Sequence, residues 1–398
     1  MFENVLQRSE RVARIEAHRA ALRFVNGIDW LVRDPKNVVG RTPYDLVYER
    51  DKLQIRRYHL DGVEARHDLP VLLVPPLMVK PFIFDLYPQR SLVSFLLRQG
   101  FAVYLVDFGE PDYTDSYVRI DDYVLDWMPA AARITKRDAG RSELSMLGYC
   151  MGGIFALMHT AANRDHSVRN IVSIGAPIDT TKTGVFAWIV KYGGDQLEYI
   201  AKRIGNVPGG LSSTVFRMLT PVKNVTRYAD LLMNMWDKEY VNGFDATNQW
   251  VSQFIEYPQA AFLQFFREVV RQNKLVTGDL KFGRKSANLR TVDASLLAFA
   301  GRTDEVAPVP AVQAVMDAVG SHDKTFRLVP GGHMGVFAGS TAPQHVWTPA
   351  ARWLATRSHA APAKGHTPLA PTGRRQPRQK ARPDTTRTAH GHVATSVA

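Results

Sequence analysis

The only cysteine of the chain, Cys150, lies in Gly148-Tyr149-Cys150-Met151-Gly152-Gly153, after an apolar run that reads as a strand and before a stretch that reads as a helix. A sharp strand-to-helix turn of this kind holds its central residue in a strained conformation and presents the side chain at the sheet edge. The residues two before and two after the centre crowd together, so both must be small, and Gly148 and Gly152 meet that demand. A thiolate is a strong nucleophile, and the N-terminus of a following helix favours the anion. A structural cysteine in a glycine-containing turn is the competing reading, and it leaves the strand and helix context unexplained.

Such a nucleophile needs a base, and the base needs an acid to orient it, expected in the chain order nucleophile, acid, histidine. Asp304 follows Gly301-Arg302-Thr303 just past a strand-like run, and His333 lies in Pro330-Gly331-Gly332-His333-Met334-Gly335 just past the next one. Alone, Asp304 could be a turn residue and His333 a packed loop histidine; together they form the expected catalytic set of Cys150, Asp304 and His333. An oxyanion hole takes one backbone N–H from the residue after the nucleophile, here Met151, and one from the loop after an earlier strand. Pro75 and Pro76 have no N–H to give, so Leu77 is the first donor available in that loop, with Met78 as the alternate.

The elements that must position these groups follow from the apolar pattern. Short runs bounded by turn residues, Leu53 to Ile55, Val71 to Val74, Phe101 to Val106, Leu144 to Leu147 and Ile171 to Ile174, read as strands. Helical stretches near Ser91 to Arg98, Asp121 to Lys136 and Gly153 to Ala162 alternate with them. The pattern predicts an α/β-hydrolase fold: a mostly parallel central sheet, helices on both faces and an inserted helical cap. Residues 1–50 read as an N-terminal helical segment, 51–176 and 291–357 as the core, 177–290 as the cap, and 358–398 as a disordered basic tail. The stripe Val5, Val12, Ile15, Leu22, Val25 and Ile28 predicts a helix or helix pair over residues 3–33, packed on the domain's own core. The cap carries many aromatics, Trp188, Tyr192, Tyr228, Trp250 and Phe266 among them, most of which are expected to form its interior.

Composition excludes several classes. One cysteine among 398 residues rules out an intrachain disulfide framework and any multi-cysteine metal site, and no metal is expected. Charges recur from Glu3 to Arg14 where a signal peptide would be apolar, and no run approaches a membrane-spanning length, so a cytoplasmic protein is expected. The net charge of +12 suggests an anionic partner until its distribution is considered. Residues 358–398 hold seven Lys and Arg against Asp384, half of the net charge, and the rest is too dilute to indicate nucleic acid binding by the folded part.

With these residues in view, the chain resembles the polyhydroxyalkanoate synthases over roughly residues 40–356, and in length it looks most like the class III catalytic subunit. The resemblance rests on Asp51-Lys52-Leu53, Val74-Pro75-Pro76-Leu77, Asp85, Arg90-Ser91-Leu92, Val106 to Asp112, the cysteine turn, Asp304 and Gly332-His333. It departs from the family pattern at Glu305 and Phe108, where synthases commonly carry His and Trp. The resemblance implies an acyltransferase that takes 3-hydroxyacyl-CoA, loads the acyl group on Cys150 and extends a polyester with release of CoA. It further implies no cofactor beyond the CoA thioester substrate, a second synthase subunit and a homodimer as partners, and residence at the polyester granule surface. An intracellular esterase, thioesterase or polyester depolymerase would use the same three residues with water as acceptor.

Overall fold

A computed structural model describes residues 2–32, 39–218 and 221–358. Its centre is an eight-stranded sheet built from β1 (Tyr44–Arg50), β2 (Leu53–Tyr58), β3 (Val71–Val74), β4 (Val103–Asp107), β5 (Leu144–Tyr149), β6 (Val168–Ile174), β7 (Ser295–Gly301) and β8 (Lys324–Val329). The order across the sheet is β1-β2-β4-β3-β5-β6-β7-β8, and only β2 runs antiparallel to its neighbours. Branched aliphatics dominate the central strands because both faces are covered. Along β3, Leu72 and Val74 enter one apolar core with Met146, Phe155 and Leu296, while Val71 and Leu73 enter the other with Leu96, Leu147 and Trp347.

The crossovers create the site. From β3 the chain passes through the helix Leu92–Arg98 to β4 on one side, and from β5 it passes through the helix Met151–Asn163 to β6 on the other. Connections that leave in opposite directions open a crevice at the carboxyl ends of the two strands, here β3 and β5, which are direct neighbours.

Between β6 and β7 lie the helices Val185–Ile204, Gly209–Met218, Pro221–Asn234, Lys238–Ser252 and Gln259–Gln264, and a two-residue hairpin, Lys281–Phe282 with Lys285–Ser286. They are tied down over the crevice. The Trp250 indole donates to the Lys80 carbonyl (3.0 Å), the Ile255 N–H to the Met78 carbonyl (3.1 Å), and Glu239 pairs with Arg90 (3.1 Å). Trp250, Tyr257 and Phe266 are buried, but Trp250 and Tyr257 join the two cores that flank the sheet and not a separate cap interior, and Trp188 and Tyr192 are both 63% exposed with Tyr228 also exposed. The helix Val185–Ile204 buries only Val190, Gly194 and Ala201, a stripe too narrow to include its aromatics.

Three expectations about the flanks are corrected. The segment 1–50 is not helical throughout, because Tyr44–Arg50 forms the edge strand β1, turning into β2 through Asp51 in the left-handed region (φ 52°). A single helix spans Phe2–Val32, and its apolar stripe is not packed on the core: Val12, Ile15, Val25 and Ile28 are exposed, as are Phe24 and Leu31. Contacts with the helical insertion hold it instead, with Trp30 packed against Leu231, Met235 and Val241. Asn26 donates to the carbonyls of Met235 (2.8 Å) and Trp236 (3.1 Å), the Trp30 indole to Asp245 (2.7 Å), and Arg19 lies over the Trp236 ring (4.5 Å). At the other end, Ser358 belongs to the folded part, since its buried hydroxyl accepts from the Leu69 N–H (2.9 Å). The expected basic tail from 359 onwards lies outside the described residues.

Candidate active site

Cys150 stands between the last residue of β5 and the first turn of the helix Met151–Asn163, with φ 52° and ψ −123°, a conformation that costs a non-glycine residue on the order of 1–3 kcal/mol. Close packing on all sides holds it there. Its N–H donates to the Ile174 carbonyl of β6 (2.8 Å), and its carbonyl accepts from the Gly153 N–H (3.0 Å). A Cβ on Gly152 would sit 1.9 Å from the Val74 carbonyl oxygen, and one on Gly148 would sit 2.4 Å from the Gly152 carbonyl carbon. Both positions therefore exclude a side chain. The thiol is half-buried and free.

The sheet register delivers the other groups to the same edge. Val74 is paired with Gly148, so Leu77 and Met151 stand three residues beyond a matched pair on adjacent strands, and both are buried. Gly301 is paired with Val329, which brings the two following loops alongside each other. The Thr303 N–H donates to the Gly331 carbonyl (3.1 Å), and a Cβ on Gly301 would sit 2.5 Å from that same oxygen.

The joined loops place His333 Nδ1 2.9 Å from Asp304 Oδ2, with both side chains buried. The second oxygen of Asp304 accepts from the N–H groups of Val306 (3.0 Å) and Ala307 (2.7 Å), so the carboxylate is held in one orientation. Burial disfavours the His333 imidazolium, but the negative charges of Cys150 and Asp304 and their hydrogen bonds to the ring outweigh it, pushing the imidazole up to about 10. The structure thus joins His333 to Asp304 through a direct contact, and the charge of Cys150 adds to the field at the ring. A thiol facing an imidazole that a buried carboxylate orients can act as a nucleophile whose proton is held by the ring.

Of the neighbours, Gly175 carries no signal in the sequence, whereas Phe216 and Tyr257 stand among the aromatics expected of residues 177–290. Gly175, at φ 60°, backs the pair closely enough that a Cβ there would lie 3.5 Å from His333 Cε1 and 3.7 Å from Asp304 Oδ2. Phe216 of the cap lies over the imidazole, with ring centroids 6.2 Å apart, and Tyr257 donates its hydroxyl to Met151 Sδ (3.7 Å). Of the two departures from the synthase pattern, Phe108 is buried against Tyr123 (5.2 Å) and Trp127 (6.1 Å), and Glu305 is exposed.

Comparison with known proteins adds the lineage. The profile of the alpha/beta hydrolase fold matches residues 82–340, and that of the poly-beta-hydroxybutyrate polymerase (PhaC) N-terminus matches residues 33–96. The poly(3-hydroxyalkanoate) polymerase subunit PhaC of Haloarcula marismortui is 30% identical over 332 residues, covering 80% of this chain and 69% of that protein. The chain belongs to the poly(3-hydroxyalkanoate) polymerase family. A second family member, from Haloferax mediterranei, is 34% identical over 325 residues, again 80% of this chain; the match spans 65% of that protein's length. The polymerase subunit of Allochromatium vinosum is 28% identical over 80% of this chain and 90% of its own. Among solved structures, a soluble variant of monoglyceride lipase from Saccharomyces cerevisiae superposes with a TM-score of 0.53 at 14% identity, over 83% of this polymerase-family chain and 99% of the lipase. A monoacylglycerol lipase from Paleococcus ferrophilus gives 0.51 at 13%, over 77% and 100%. These two likenesses establish the α/β-hydrolase fold. Within the described residues, no helix is long and apolar enough to cross a membrane.

Proposed function

We propose that the chain is a polyhydroxyalkanoate synthase that polymerises 3-hydroxyacyl-CoA through Cys150, His333 and Asp304. The observation that carries the reading is the buried 2.9 Å His333–Asp304 contact beside a cysteine held in a strained strand-to-helix turn, in a chain of this family. The Cys150 thiolate attacks the thioester carbonyl, the C–S bond to CoA breaks, and His333 gives its proton to the departing thiolate. The Met151 and Leu77 N–H groups receive the oxyanion of the tetrahedral intermediate. Next, the 3-hydroxyl of a second acyl-CoA attacks the enzyme thioester. His333 takes the hydroxyl proton, an ester forms, and Cys150 leaves as the thiolate. The lengthened acyl-CoA reloads the cysteine by the first step, so each turn releases one CoA.

A thiol suits this cycle because exchange between two thioesters is nearly isoenergetic, which keeps the acyl group activated for an alcohol. Transfer to an alcohol also requires that water be kept out. Phe216, Trp250 and Phe254, which pack on one another and, through Phe216, over His333, supply an apolar cover. We place the enzyme in the cytoplasm at the granule surface, as a homodimer working with a second, non-catalytic subunit. The exposed apolar side chains of the helices Phe2–Val32 and Val185–Ile204 offer surface for such contacts.

Incubation with 3-hydroxybutyryl-CoA, following CoA release and product together, tests the reading. Insoluble polyester is expected; free hydroxy acid in stoichiometric yield would assign the chain to the hydrolases.

A further inference from the structure

The base sits on a loop that begins Gly331-Gly332, with Gly331 at φ 111°, and Gly332 offers no side-chain cap to the short helix His333–Ala338 that follows. Asp304 fixes the ring of His333, but a ring held at one atom still moves with its backbone. The backbone is held from the nucleophile's side. Tyr149, bonded directly to Cys150, is buried and donates its hydroxyl to the His333 carbonyl (3.1 Å), with Met334 Sδ at 3.8 Å. Its ring stacks on Phe337 (centroids 4.3 Å apart, planes 19° apart) and stands 5.2 Å from the imidazole.

We infer that Tyr149 is a positioning residue: its hydroxyl ties the loop that carries His333 to the turn that carries Cys150, so that nucleophile and base keep one separation. The inference rests on the roles proposed above for Cys150 and His333. Burial pushes the phenol well above its usual range, so it remains a donor throughout the working pH. A hydrocarbon ring in the same place would keep the stacking and lose the tie.

The test is Tyr149→Phe in the full chain, read by the rate of Cys150 alkylation with iodoacetamide across pH and by the kcat and KM of CoA release. Loss of one neutral buried hydrogen bond, on the order of 1 kcal/mol, corresponds to roughly a fivefold change. Alkylation at neutral pH is expected to slow by about that factor with its pH midpoint displaced, and kcat to fall with KM unchanged. Phe337→Leu, which disturbs the stacking and leaves the hydroxyl, should leave the alkylation profile in place. Hydrogen exchange of residues 331–334 in the folded population should quicken in Tyr149→Phe, which keeps the test open even if that variant is less stable. A Tyr149→Phe profile and exchange rate that match the parent, or an equal displacement in Phe337→Leu, would overturn the inference. Alkylation needs no acyl-CoA, so a chain that makes no polymer can still pass or fail this test.

Discussion

Gly152→Ala is the sharpest probe of how the sheet builds the site. The added Cβ would lie 1.9 Å from the Val74 carbonyl oxygen, 2.7 Å from its carbon and 3.0 Å from the Pro75 carbonyl carbon, all backbone atoms that cannot rotate aside. An ordinary carbon-to-oxygen approach is about 3.3 Å, so the first turn after Cys150 and the end of β3 must separate by ~1.4 Å. Overpacking of this kind costs about 1–3 kcal/mol, and a reacting group displaced by ~1 Å loses on the order of a hundredfold in rate. The same movement draws the Met151 N–H away from the Leu77 N–H. Thermal unfolding should therefore fall by several degrees, and CoA release from 3-hydroxybutyryl-CoA, followed with a thiol reagent, by about a hundredfold or more. Gly153→Ala is the comparison, since its Cβ would meet the movable Ser173 hydroxyl (2.6 Å) and the Ala176 methyl (3.0 Å), and its rate should suffer less. Parent-like stability and turnover in Gly152→Ala would refute the claim that this contact sets the geometry.

Other consequences are open to measurement. Asp304→Asn keeps an oxygen for the Val306 and Ala307 N–H groups but can turn an amide N–H towards His333, and loss of about a hundredfold to ten-thousandfold in kcat is expected with the melting point little changed. The His333 imidazole is raised from 6.5 to about 10 on folding, so the stability it contributes is fully present below pH 6.5 and is lost as the pH rises through about 10. Urea midpoints should accordingly fall between pH 7 and pH 10, and fall less in His333→Gln. Asn26→Ala removes two hydrogen bonds that hold the N-terminal helix to the insertion, so limited proteolysis should cut residues 2–32 faster while the main unfolding transition stays within about a degree.

What the sequence disclosed depended on how local each constraint is. The cysteine turn was legible because its demands fall within five residues: a strained centre flanked by Gly148 and Gly152, with a strand before and a helix after. Asp304 and His333 were legible as residues just beyond strand ends. The pairing of Val74 with Gly148 and of Gly301 with Val329, which decides that all these ends meet, is a long-range property that no local pattern encodes. β1 is legible in the alternation of Tyr44, Leu46 and Tyr48 with Asp45 and Glu49, a two-residue period that the expectation of a helical segment over 1–50 does not use; Asp45 is paired with Arg57 of β2 (3.0 Å). The stripe on the N-terminal helix pointed to the core because apolar periodicity reports a face, not what covers it. Asn26 makes the contact through polar atoms that such a pattern ignores, and Trp30, outside the stripe, through its ring on Leu231, Met235 and Val241 and its N–H on Asp245. Tyr149 was legible only as a spacer in the motif, since the carbonyl that it grips is 184 residues away.

The central claim is that acyl groups pass through the sulfur of Cys150. Purified chain mixed with 3-hydroxybutyryl-CoA, quenched in acid within a turnover and digested, should yield the Cys150 peptide heavier by one hydroxybutyryl group, in amounts that match the CoA released. CoA released at full rate while that peptide stays unmodified at every quench time, or undiminished release by Cys150→Ala, would contradict it.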